Sequence, residues 1–579
     1  MKILKLCVMA SLFIMLVIPC LVSCSDSPLD IEDNQEQVEQ DEFDNIVEEL
    51  PEQIYKRDSV LVCNPLTLKL SSKSATTASF TCSISEGDEE IKKMILNCAG
   101  GSVNKNVEVE PQDEIFEVVV DSLTFNSVYR VSFTLEIYNT VSDSTYVRKS
   151  EVLNFETAFV RPNICLKNTD GTVLSFAGQL LGYAENDCEL EVGMCLLDSL
   201  YYPKNLDDVT RCVAKFSNYN EVEIEVLKQT GTDFYCSYVL QNDKFEYGPI
   251  EAFAYAEAVR EINMTDAVDL SANGTANCYV IPSSGTYKLK TVKGNSAESV
   301  GDVKYPQIIW ESLGTVEMPK LCSLISSIFW SDGYLYFSVP SNYMEGNALI
   351  AVKDVDGNIL WSWHLWLVPE IDTYNFPNDL GISMSCNLGV VNGQYGLLYQ
   401  WGRKDPFMGA TLDKKKEKKQ AKSSCYWKSV STDRVVGVIS YAVANPTTFI
   451  GQGETNDWQY AKHDSRWSSV KTIYDPCPVG WKIPDTLFDN VSVDEFIYNE
   501  NKEFVGCEVG GLLYPAAGYL SSYSDSMGQL YGVGRSGCYW TTQSSVGLSA
   551  HLHFNDESNV LPRDYVCRSN AYSVRCVKE

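Results

Sequence analysis

The chain has 579 residues, with 46 Lys and Arg against 77 Asp and Glu, a formal net charge of −31 and 45% hydrophobic residues. The hydrophobic share is ordinary for globular protein, and the length predicts three or four folded domains. The acidic balance excludes nucleic-acid binding, which needs clustered Lys and Arg to meet phosphates.

Met1, Lys2 and Lys5 precede an apolar run from Leu6 to Val22. A short positive region before such a run is an export signal, and the run is too short for a confident spanning helix of about 20 apolar residues. Its end, Leu21-Val22-Ser23-Cys24, resembles the lipobox of bacterial lipoproteins. That resemblance implies cleavage after residue 23 and a diacylglycerol on Cys24, anchored by roughly 0.8 kcal/mol per buried methylene. From Asp26 to Gln53 there are twelve acidic residues and no basic one, so residues 24–58 are expected to be a disordered tether. Acidic residues directly after a lipidated cysteine also resemble the surface-export signal of Bacteroidetes lipoproteins. The expected location is therefore the outer membrane, lipid-anchored and exposed at the cell surface.

Residues 59–159 read as all-β. Tyr129, Val131, Phe133, Leu135 and Ile137 alternate with Arg130, Ser132, Thr134 and Glu136, the period of a half-buried antiparallel strand. Leu123 stands six residues before Tyr129, a spacing that resembles the tyrosine corner of fibronectin type III domains. Residues 160–273 resemble a second, diverged copy, with a turn at Asp170-Gly171, a central strand at Glu191-Val192-Gly193-Met194-Cys195, and 252–259 (AFAYAEAV) in the place of the late strand. Two such tandem modules are expected to act as spacers.

Composition then changes. All eleven tryptophans lie between Trp310 and Trp540, and all four histidines lie beyond Trp363. Asp356-Gly357-Asn358 sits between two alternating runs, a hairpin signal. After it, Ile359, Trp361, Trp363, Leu365 and Leu367 share one face and Leu360, Ser362, His364 and Trp366 the other, so this strand is expected to be buried on both sides. The strings YDPCPVGWKIPD, YPAAGY, CYWTTQSS and NAYSVRCVKE come next, in that order. They closely resemble the Fibrobacter succinogenes major paralogous domain and related Bacteroidetes surface lipoproteins of fimbrillin or adhesin type. The resemblance implies a C-type-lectin-like α+β architecture over 371–579, after a β-rich segment at 274–370. It also implies that the two ends of this domain meet through a Cys477–Cys576 bridge. Where relatives read MDRNLG, this chain has Met384-Ser385-Cys386-Asn387-Leu388-Gly389, which removes the Asp–Arg pair. The whole is expected to be mostly β, α+β and multidomain, with two immunoglobulin-like (fibronectin type III-like) β-sandwiches ahead of the lectin-like domain.

Of the 20 cysteines, seventeen remain outside Cys7, Cys20 and Cys24. No CxxC pair supports zinc-ribbon or thioredoxin-like chemistry. Gly532-Val533-Gly534-Arg535-Ser536-Gly537 matches GxGxxG, but the strand-like CYWTT comes after it, where a dinucleotide site needs a helix. Asp354, Asp356 and Gly357 make half a calcium loop without its distal ligands, and the Glu-Pro-Asn or Gln-Pro-Asp triplets of calcium-dependent lectins are missing. His551 and His553 share one strand face, with no third ligand that the sequence can name, so no metal and no cofactor are expected. GxSxG, HExxH and P-loop motifs are absent, and the chain is not expected to be an enzyme. Lys414, Lys415, Lys416, Lys418, Lys419 and Lys422 read as a solvated insertion. The candidate binding segment is 451–467, polar and glycine-bearing yet holding Trp458, Tyr460, His463 and Trp467. Exposed aromatics among amides and carboxylates suit sugar rings; the alternative is that both tryptophans fold back as core anchors. The expected function is a surface adhesin or glycan-binding lipoprotein. Its expected partners are a glycan or host-surface (matrix) ligand, and the membrane through the lipid anchor. The alternative is an accessory or tip subunit of a fimbria, partnered by other fimbrial subunits.

Overall fold

Period-two alternation dominates the chain, and strands result from it. In the strand Val128–Asn139, Tyr129, Val131, Phe133, Leu135 and Ile137 are all buried while Arg130 and Glu136 face solvent. The computed structural model describes residues 66–579 except for the short segments 85–89, 102, 111–114, 140–142, 170–172, 185–186, 189, 215–221, 228, 242, 392–394 and 454–456. The export signal, Cys24, the acidic tether and the turn at Asp170-Gly171 lie outside the described residues.

The first module pairs a three-stranded sheet (Thr67–Lys73, Ala78–Ser83, Ile115–Val120) with a five-stranded one around Glu90–Gly100 and Val128–Asn139. The second repeats that plan, with a three-stranded sheet of Arg161–Thr169, Val173–Leu181 and Val222–Leu227 against a five-stranded sheet centred on Glu191–Leu197 and Phe234–Gln241. One expectation needs correcting. The late strand of this module is Phe234–Gln241, whereas AFAYAEAV gives only Ala252 to a two-residue strand, Glu251–Ala252, and then forms a short helix, Phe253–Glu257. Its Ala and Glu residues are strong helix formers and it holds few β-branched ones, so propensity outweighs the apparent alternation.

Polar contacts tie the modules together. Asp187 accepts hydrogen bonds from the backbone of Thr76 (2.6 Å) and from the hydroxyls of Ser74 and Thr76. Gln241 bridges Phe125 N and Leu123 O. The second module in turn shares a core with residues 274–370. Cys195, Phe234, Cys236 and Tyr255 pack in one cluster with Tyr279, Ile308, Ile350 and Trp363, so no gap in the core separates 160–273 from 274–370.

Residues 268–367 build two four-stranded sheets. The strand Ile359–Leu367 lies inside one of them, buried along its length after Leu360, with Trp363 and Leu365 in one cluster and Trp366 in another. It pairs with Gly346–Lys353 across the predicted hairpin, Lys353 opposite Ile359.

The last two hundred residues are also nearly all β. Their described helices are short, the longest α-helix being Ile439–Ala444, so the helical half of the α+β expectation is not met. Gly, Ser, Asn and Asp interrupt every apolar run here before it reaches the two or three turns a stable helix needs. A sheet containing Ser536–Ser545, Leu548–Asn555 and Val560–Cys567 forms the centre. The C-terminal Val577–Lys578 inserts between Ile382–Met384 and Trp481–Lys482, and Cys477 is bridged to Cys576 with Cα atoms 6.0 Å apart. Closing a loop of sequence separation 99 is worth about 4–5 kcal/mol in the chain-entropy model. Arg575, beside the bridge, reaches back to the Met384–Gly389 segment. It donates twice to Asn387 Oδ1 (2.7 and 3.1 Å) and lies 4.1 Å from the Tyr514 ring centroid.

Candidate functional site

The segment 451–467 turns its tryptophans inward. Trp458 is 0% exposed and donates to the Trp401 carbonyl at 2.7 Å; Trp467 is equally buried and donates to the Tyr474 carbonyl at 2.9 Å. Arg568 explains why so polar a segment folds in. It is fully buried, pairs with Asp457 (3.4 Å) and Asp464, donates to the His463 carbonyl at 3.2 Å, and lies 4.2 Å from the Trp401 ring. The opposite charges satisfy one another and the indole N–H groups find backbone carbonyls, as buried polar groups must. Burial pushes the Asp457 carboxyl up to about 6, against the pull of Arg568. Of the four candidate residues only Tyr460 is substantially exposed, at 43%, and Arg434 donates to its hydroxyl at 2.9 Å. The structure therefore corrects the expectation of an aromatic platform at Trp458, Tyr460, His463 and Trp467.

An open, tyrosine-lined cleft lies elsewhere, against the central sheet. Period two divides the strands Ser536–Ser545 and Leu548–Asn555 between two faces. Tyr539, Leu552 and Phe554 pack on Phe504, Val509 and Tyr514. Cys538, Trp540, His551 and His553 take the other face, with Cys538 opposite His553 and Trp540 opposite His551. On the next strand Asp564 stands opposite His551 while Leu561 stands opposite His553, so the register slips between them. Directly opposed residues share a face, so pairing with His551 places Asp564 on the histidine face.

Cys538, His551 and His553 line a cleft of about 720 Å³, while Trp540 is fully buried. Tyr519 and Tyr531 are cross-strand partners with ring centroids 6.3 Å apart. From Tyr519 a file of rings continues through Tyr572 (5.8 Å) and His551 (4.7 Å) to His553 (5.7 Å). Tyr523, Tyr531 and Tyr565 are 61%, 42% and 39% exposed along the walls. Gln452, Asn555, Asn570, Arg535, Asp556 and Glu557 supply the polar part of the lining. The Gly532–Gly537 loop is one wall. Gly532 and Gly534 have φ of 69° and 70°, conformations that favour glycine, and the turn aims Arg535 at Asp556, 3.1 Å away. Burial holds His551 down at about 3, and holds His553 below its usual range against the opposing charge of Asp564. Both imidazoles are therefore neutral at physiological pH.

The basic run lies on the hairpin Ala410–Leu412/Lys418–Gln420 with its lysines largely exposed; Lys414 meets Glu317 at 3.0 Å. Among the described residues, no helix is long and apolar enough to cross a membrane.

No family model matches the sequence, and no curated protein matches it. Among solved structures, a two-domain fibronectin type III segment of chicken tenascin aligns over 33% of this chain and 99% of its own, with 12% identity and a TM-score of 0.17. The assignment of the fold rests on strand pairing, not on that likeness.

Proposed function

We propose that this protein is a glycan-binding surface lipoprotein of adhesin type, and that the tyrosine-lined cleft is its binding surface. The observation that carries the reading is the combination of exposed Tyr523, Tyr531 and Tyr565 with amides, carboxylates and Arg535 in one open cleft. Sugar rings present C–H faces that stack on aromatic faces and hydroxyls that need placed donors and acceptors, and the lining offers both. The cleft volume suits a short oligosaccharide.

The rest of the layout fits display. The lipobox-like Leu21-Val22-Ser23-Cys24 and the acidic tether support lipid anchorage at the outer surface. Fibronectin type III-like modules are supported by the three-plus-five strand plan and by the Thr124 N–H donating to the Tyr129 hydroxyl at 2.8 Å, the hydrogen bond of a tyrosine corner. A C-type-lectin-like terminal domain is supported by the motif order, by the Cys477–Cys576 bridge and by the pairing of Ile382–Met384 with Val577–Lys578. Probing the purified protein on a glycan and matrix array tests the function. Saturable binding to a defined glycan is expected; capture of matrix protein alone, unaffected by substitution of the cleft tyrosines, would refute it.

A further inference from the structure

We propose that His551, His553 and Asp564 form a binding site for a divalent transition-metal ion of zinc type, its remaining coordination positions open to the cleft. One donor atom from each residue lies within 4.8 Å of the other two. A tetrahedral zinc ion with bonds of about 2.0–2.1 Å holds its donors about 3.3 Å apart. His553 and Asp564 are only partly buried, so modest side-chain rotations close the triangle.

The surroundings are those of a prepared site. His551 is fixed by its Nδ1, which lies 2.9 Å from the backbone carbonyl of Asp564. A carbonyl can only accept, so Nδ1 carries the proton and Nε2 keeps its lone pair. Metal-binding histidines are oriented by such a bond. The ring is also held between Trp540 (5.8 Å) and Tyr572 (4.7 Å). His553 lies with Nε2 3.1 Å from Ser536 Oγ and Nδ1 3.8 Å from Asp564 Oδ2. Two imidazoles and one carboxylate prefer zinc and its neighbours to calcium, which takes six to eight oxygens. Three protein ligands leave a position free, as in zinc sites that engage a further ligand. The site does not depend on the glycan reading, because the three donors hold the metal alone.

The test uses the whole protein, freed of metal with EDTA and titrated with Zn²⁺ by calorimetry and with Co²⁺ by visible absorption. One equivalent should bind and raise the melting temperature. His553→Ala and Asp564→Asn should each weaken Zn²⁺ binding by more than the roughly 10–100-fold that loss of an outer partner costs, with metal-free melting unchanged. Binding that persists undiminished in both variants would place the ion elsewhere, on the acidic segment for example, and overturn the proposal. The Co²⁺ spectrum of the parent protein decides the matter even if a variant misfolds. Four- or five-coordinate absorption supports the site, and the weak six-coordinate spectrum of a hydrated ion overturns it.

Discussion

Two aromatic-rich, polar regions of this protein have opposite fates. Asp457, Trp458, Gln459 and Trp467 fold inward near Arg568, with both tryptophans in the core; Tyr519, Tyr523, Tyr531 and Tyr565 line an open cleft. The difference lies in what satisfies the polar groups. Asp457 and Asp464 share a buried guanidinium, and each indole N–H finds a carbonyl, so nothing keeps the inward segment in water. Tyr523, Tyr531 and Tyr565 instead keep much of their surface in solvent, and a phenol can present a ring face while its hydroxyl stays hydrated. Aromatic content alone therefore does not mark a binding surface.

Substitutions can break this contrast. Trp458→Ala and Trp467→Ala should each cost about 3–5 kcal/mol of stability, measured by denaturant unfolding; a cost below about 1 kcal/mol would mean the segment is not a core element. Arg568→Met should come next, at about 3 kcal/mol, since it leaves Asp457 buried without its counter-charge. Because Asp457 can then take a proton, that loss should shrink on acidification. An equal loss at pH 5 and pH 7 would argue against the buried pair.

A third inward-turned ring sharpens the comparison through pH. His364 bonds Asn347 Oδ1 at 2.8 Å and is held down at about 3 by burial. The unfolded chain protonates this histidine near 6.5 while the folded chain keeps it neutral. Stability is thus intact above about pH 6.5 and is lost as pH falls, by about 2 kcal/mol between pH 7 and pH 5. In His364→Gln that increment should vanish from the difference between the two pH values. An unchanged pH dependence would contradict the assignment.

Much of the fold is legible in local pattern. Strand Ile359–Leu367 announces burial on both faces because both of its alternating sets carry bulk, and the Asp356-Gly357 turn sets its partner. AFAYAEAV misleads because small alanines mimic alternation while favouring a helix. The site is less legible, since its geometry is made at long range. Arg568 stands 111 residues from Asp457, so a sequence window sees only a polar, glycine-bearing loop. Asp564 joins the histidines through cross-strand pairing with His551, which no local spacing reveals. Tyrosines recurring in the Gly- and Ser-rich stretch 518–537 are the available signal for the cleft, and they lack the period that would assign them a face.

The cleft tyrosines should give the smallest stability change and the largest change in binding. Tyr523→Ala combined with Tyr531→Ala should move stability by no more than about 0.5 kcal/mol per site, as exposed positions do. A binding titration with the best glycan from the array, run beside a thermal melt on parent and double variant, is the most direct test of the cleft as the binding surface. The expected result is an unchanged melt with affinity reduced by about 2 kcal/mol or more, some thirtyfold. Undiminished affinity in a variant that melts like the parent would contradict it.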